Sequence, residues 1–194
     1  MLDFFRQLAR DGYENPGALR PIRRWDTNPN FYLNASNPRT KDKLRLSEVQ
    51  MIEDAIRSAV PQLTGGLLSA GTIDVGIEDR PMRPGYVNIV IVDDPEGDYC
   101  GRAFVGSDPG QIMLNYDRCR VSWCNDGISA HVVAHEVGHA LGFWHVPEGI
   151  MQPRMDGCRE TTFTDNERLH ARIAYQRPAG NTDVDSDPVD FRNL

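Results

Sequence analysis

Four of the chain's five histidines crowd between positions 131 and 145, in the run His131-Val-Val-Ala-His135-Glu136-Val-Gly-His139-Ala-Leu-Gly142-Phe-Trp-His145. Histidines four apart on a helix stand about 6 Å apart along its axis and share a face, so the rings of His135 and His139 can turn to one ion. A catalytic zinc takes three protein ligands and keeps one position open, so the pair needs a third donor from beyond the helix. His145 is that donor. Gly142 can take a left-handed conformation that residues with a Cβ resist, which lets the chain turn sharply and bring His145 back to the ion. Glu136 follows the first ligand, which sets a carboxylate beside the metal without binding it, the position of a general base. The chemistry encoded is hydrolysis by metal-activated water. His131 lies one turn earlier but about 12 Å along the axis from His139, too far to join the same tetrahedral ion. It and His170, which has no partner pattern, read as ordinary buried or surface histidines.

The spacing HExxHxxGxxH resembles the signature of the metzincin zinc peptidases. With Gly149-Ile-Met151-Gln-Pro153 after it, the chain is similar to a matrixin-like catalytic domain of bacterial character. Beyond the motif the likeness is diffuse, spanning about residues 22 to 177, with Trp25, the strand ending in Asn115, Ile173 and Tyr175 among its points. The resemblance implies an α+β (mixed α/β) fold of the zincin kind. A twisted, mixed, five-stranded sheet with two helices would lie above a cleft, and a smaller C-terminal subdomain with one helix below. It implies a zinc-dependent endopeptidase acting on protein or peptide substrates. Met151 would form an apolar floor under the ligand rings. Val146 stands where matrixins carry Ser or Thr. No histidine falls between Asp93 and Gly110, so one catalytic zinc is expected and no second, structural one. Asp93, Asp94, Glu96, Asp98 and Asp108 offer oxygens that could hold calcium, or form a solvated acidic loop. The strand Gln111, Ile112, Met113, Leu114, Asn115, read as the edge of the sheet, would pair with an extended substrate backbone.

Two other readings share these residues: an inactive metzincin-like module that binds peptides or a protein partner, and a zinc hydrolase acting on a non-peptide amide or ester.

The elements that must position the site are legible in outline. Residues 1–20 contain Gly12, Pro16 and Gly17 and read as a short helix or loose arm in which little function should live. Residues 21–178 form the single catalytic domain, and 179–194, with Asp183, Asp185 and Asp187, a flexible acidic tail. Trp25 and Phe31-Tyr32-Leu33 suggest a first strand. Ser47 and Gln50 form a capping-box pattern opening an amphipathic helix over Met51, Ile52, Ala55, Ile56, Ala59 and Val60, closed by Pro61. Extended stretches follow at 72–77, 86–92 and 111–115, with an irregular Gly-, Pro- and Asp-rich passage before the last. Residues 128–141 read as the helix of the histidines, capped by Asn125 or Asp126. Thr164 with Glu167 opens a last helix, with Leu169, Ile173 and Ala174 turned inward.

Composition excludes some partners. The chain has 194 residues, 40 % of them hydrophobic, enough for one core. A formal net charge of -7 gives no electrostatic reason to approach nucleic acid or an anionic membrane. No apolar run approaches the roughly 18 residues of a membrane span, and Met1 to Arg10 carries Asp3, Arg6 and Arg10, unlike a signal peptide. A monomer is expected. Cys100, Cys119, Cys124 and Cys158 lack CxxC spacing and read as two disulfides, with Cys100–Cys119 and Cys124–Cys158 the favoured pairing and four buried thiols the alternative. Disulfides go with a secreted or periplasmic place of work.

Overall fold

The computed structural model describes residues 2–116, 128–153 and 162–180. In chain order the elements are α1 (Leu2–Arg10), β1 (Asn30–Asn34), α2 (Leu46–Thr64), β2 (Ile73–Gly76), β3 (Tyr86–Val92), β4 (Gly101–Ala103), β5 (Gly110–Asn115), α3 (Ala130–Ala140) and α4 (Asp165–Tyr175). The five strands form one mixed sheet in the order β2-β1-β3-β5-β4. The first four run parallel, and β4 lies antiparallel to β5 with Arg102 opposite Met113. This is the expected mixed α/β architecture of a metzincin-like fold, with a fourth helix, α1, added to it.

One apolar cluster joins all the layers. Phe31 and Leu33 of β1, Ile89 of β3 and Ile112 and Leu114 of β5 are fully buried, as are Ile52, Ile56 and Leu63 of α2. The helix α2 packs against α3, and α3 lies across β4 and β5. That stacking presses the histidine-bearing helix onto the end of the sheet where β4 stands.

Several local expectations are corrected. The cap of α2 is Arg45 rather than Ser47, with the Glu48 carboxylate accepting from the Arg45 amide at 3.0 Å. Pro61 does not end that helix, which runs on to Thr64 and closes at Gly65, whose φ is 62°. The amide that Pro61 lacks would have bonded the carbonyl of Arg57, an exposed position where water can serve instead. The short strand β4 falls in the passage read as irregular. Since β5 is paired on both sides, β4 and not the Gln111–Asn115 strand is the edge on this side of the sheet among the described residues. The cap of α3 is Ser129, whose Oγ accepts from the Val132 amide at 3.3 Å; Asn125 and Asp126 lie outside the described residues. In α4 the Thr164–Glu167 capping box forms as expected, but Leu169 is exposed.

The N-terminal segment is part of the core. Phe5, Leu8 and Ala9 are buried, and α1 packs against α4. Its Leu8 carbonyl accepts from the amide of Trp144, next to the third histidine. Residues 181–194, read as an acidic tail, lie outside the described residues, as do Cys119, Cys124, Cys158 and the pairing expected of them. Cys100 is disulfide-bonded. No helix among the described residues is long and apolar enough to cross a membrane.

Candidate metal centre

The helix α3 buries every residue from His131 to Ala140. A helix end in such surroundings needs partners for its last carbonyls. The Ala140 carbonyl accepts from the indole nitrogen of Trp25 at 2.8 Å, and the Leu141 carbonyl accepts from the Tyr175 hydroxyl at 2.9 Å. The His139 carbonyl accepts from the amides of Gly106 and Gly142. Trp25, read as the start of a strand, thus works as a cap on the end of this helix. Beyond it the chain reverses at Gly142, where φ is 109° and a Cβ would run into the Arg23 carbonyl, so the expected turn forms.

That turn brings His145 to the helix pair. The Nε2 of His139 lies 3.0 Å from that of His135 and 3.2 Å from that of His145. Each of the three outer nitrogens has an acceptor: His135 Nδ1 meets the Ile150 carbonyl at 2.6 Å, His139 Nδ1 the Phe143 carbonyl at 2.7 Å and His145 Nδ1 the Glu14 carboxylate at 2.7 Å. Carbonyl and carboxylate oxygens only accept, so each Nδ1 carries a proton, and a ring with no second proton turns an Nε2 lone pair inward. Three lone pairs at these distances repel one another unless a cation lies between them. Tetrahedral zinc at about 2.0–2.1 Å from each nitrogen needs roughly 3.3 Å between donors, which is close to the spacing present. The donor set therefore fits zinc. Among the described residues this is the one group of three or more His, Cys, Asp or Glu donors close enough to share an ion. Burial pushes His139 down to about 4, helped by His145, and holds His135 well below the usual histidine range, helped by His139. Both rings are thereby kept in the neutral form that can bind a metal ion.

Glu136 is buried beside them, and among the described residues its Oε2 has no hydrogen-bond partner. Burial alone pushes its carboxyl up to about 8. It faces a cleft of about 610 Å³ whose lining includes the three histidines, Glu14, Gly101, Arg102 and Trp144. Gly101 of β4 approaches so closely that a Cβ there would stand within 2.7 Å of the Glu136 carboxyl group.

Met151 is fully buried, and its sulfur fills the space where Gly138, between His135 and His139, has no side chain. The turn before it is held by Glu167, whose carboxylate accepts from the Met151 amide at 2.8 Å and from the Thr164 amide at 2.7 Å. Sequence reasoning found Glu167 only as a capping residue. It missed the second task, because nothing local shows that the cap faces the Ile150–Met151 turn.

Gln111 to Asn115 do not line the cleft. Asn115 instead staples the loop that leads into β4, donating to the carbonyls of Asp94 and Tyr99 and accepting from the Asp94 amide. His131 and His170 are buried and outside the three-histidine group. Asp93 is paired with Arg39, Asp98 with Arg102, and Asp108 accepts from the Gly85 amide. Asp94 accepts from the Gly97 amide and the Tyr99 hydroxyl.

The profile of a family described as Metallo-peptidase family M12B Reprolysin-like matches residues 78–146, from the end of the β2 region to just past the third histidine. A solved structure described as the GM1 bound form of the ECX AB5 holotoxin shares the fold, with a TM-score of 0.52 at 12 % sequence identity over 84 % of this chain and 87 % of that one. No curated protein matches the chain significantly. The family match covers a minority of the chain, and together with the three-histidine group it supports a zinc metalloprotease of the metzincin type. It does not extend to the matrixin-like subtype.

Proposed function

We propose that the chain is a zinc-dependent endopeptidase that hydrolyses internal peptide bonds, with His135, His139 and His145 as ligands and Glu136 as general base. The observation that carries this reading is the inward convergence of three imidazole nitrogens whose outer nitrogens are all tied to acceptors. Zinc bound there supplies Lewis acidity for a scissile carbonyl and an attacking water, and its charge favours the ionised form of the neighbouring carboxylate. Glu136 Oε2, which has no other partner, takes the proton of the attacking water and passes it to the departing amine. Substrate in extended form pairs with the free side of β4, in place of the Gln111–Asn115 strand, and this lays the scissile bond beside Glu136. Met151 keeps the ligand helix dry from below. A secreted or periplasmic setting belongs to the same proposal and is supported by the disulfide at Cys100.

Protein loaded with one equivalent of zinc is expected to cleave denatured casein or gelatin, and a chelator to stop it. Glu136→Ala should lower the rate by about 10²–10⁴-fold while retaining zinc. Zinc-loaded wild type that cuts no protein or peptide in a broad library would overturn the endopeptidase reading in favour of a binding module or a hydrolase of smaller amides.

A further inference from the structure

Two of the three ligand rings are held by main chain: the Ile150 carbonyl fixes His135, and the Phe143 carbonyl fixes His139. The third is held differently. His145 lies beyond α3, and its Nδ1 donates to a side chain 131 residues away, the Glu14 carboxylate, at 2.7 Å. Glu14 belongs to the segment whose sequence gives no hint of a role, and it also lines the cleft.

That segment is built to hold its carboxylate in place. Asp11 is 2 % exposed and adopts a φ of 62°, which a residue with a Cβ seldom takes without compensation. The compensation is visible: its carboxylate accepts from Asn15 Nδ2 at 2.6 Å, and its carbonyl from the Asn15 amide at 2.9 Å. Glu14 sits inside this turn. The turn is anchored from both sides, by the Arg10 side chain donating to the Arg20 carbonyl at 2.9 Å and by Leu8, whose carbonyl accepts from the Trp144 amide. The same strip of chain thus grips residue 144 through its backbone and residue 145 through its side chain.

We propose that Glu14 is a positioning residue of the metal centre, fixing the tautomer and orientation of His145 so that the third ligand is ready when zinc arrives. Partners on the outer nitrogen of a ligating histidine set which nitrogen is free and make it a stronger donor. Here that partner is a carboxylate on a docked N-terminal turn. The inference rests on the zinc reading above.

The test is zinc affinity, measured by competition with a chromophoric chelator on the full chain, for wild type, Glu14→Ala and Glu14→Gln, with Asp3→Asn as a control carboxylate on α1. Glu14→Ala is expected to weaken zinc binding by about 10- to 100-fold. Glu14→Gln should lose less, because the amide oxygen still accepts from Nδ1, and Asp3→Asn should match wild type. The visible spectrum of the cobalt-substituted protein should shift in Glu14→Ala, while the metal-free unfolding midpoint of Glu14→Gln stays at the wild-type value. The inference is overturned if both Glu14 variants bind zinc within about twofold of wild type with an unchanged cobalt spectrum, or if affinity falls only in step with metal-free stability. If wild type itself binds no zinc, the metal reading falls and this inference with it. Normal zinc binding by wild type and variants alike removes the role of Glu14 alone.

Discussion

A carboxylate oxygen buried without a hydrogen-bond partner makes the charged form costly, and Glu136 Oε2 meets that description among the described residues. The sequence identifies the residue by its place after His135 but not the strength of its perturbation, which comes from the neighbours that exclude water. Its carboxyl titrates near 4.5 when unfolded and is pushed up to about 8 when folded and metal-free, so the folded state keeps a proton that the unfolded chain releases. The sign follows: this contribution to stability is intact below about pH 4.5, falls away as pH rises toward 8, and is gone above it. Between pH 5 and pH 8 the loss should be on the order of 3 kcal/mol, and Glu136→Gln should lack it. Urea unfolding of the chelator-treated proteins at pH 5 and pH 8 checks this, with the difference between wild type and variant isolating Glu136 from the histidines, which titrate in both. Parallel pH curves for the two proteins would show that the carboxylate is solvated after all.

Among the elements, α3 was legible because histidines at helical spacing followed by Gly142 leave few other geometries. The edge strand was not. Three residues, Gly101 to Ala103, carry too little alternation to be recognised, and they become a strand only by pairing with β5. Pro61 and Leu169 mislead for a related reason, since packing of α2 against α3 and α4, and of α4 against α1 and α2, overrides local rules about where a helix stops and which face turns inward. The approach of β4 to α3 makes Gly101 a sharp probe. In Gly101→Ala the added methyl meets the end of a Glu side chain, which can swing aside, so the fold should lose little stability. Swinging aside takes the carboxylate out of position. Proteolysis should therefore drop by about tenfold or more with zinc affinity nearly unchanged, as kinetics on zinc-loaded protein would measure. Retention of full activity would mean that Glu136 works from a position other than the one beside β4.

At the scale of the whole molecule, the N-terminal segment closes the structure, with α1 against α4, Leu8 fully buried and Glu14 at the cleft. Leu8→Ala should cost about 3 kcal/mol in urea unfolding, the range for a buried leucine removed from a packed core. A loss well under 1 kcal/mol would mean that α1 is only loosely attached. What the sequence determined by itself was the grouping of the site: three imidazoles, the glutamate, the glycine turn and Met151 lie within seventeen residues, close enough for helical geometry and one reversal to bring them together. The order of hydrophobic segments also sufficed for a sheet covered by helices, and the resemblance carried by the histidine motif supplied its mixed, five-stranded form. What only the tertiary structure decided was everything contributed from a distance. Trp25 and Tyr175 cap α3, Glu167 grips the turn before Met151, β4 supplies the edge, and Glu14 holds His145. Trp25, Tyr175 and Glu14 reach partners far along the chain, while β4 and Glu167 meet theirs across a loop, and in every case the local sequence carries no mark of the partner, because the pairing is selected by packing of the whole core.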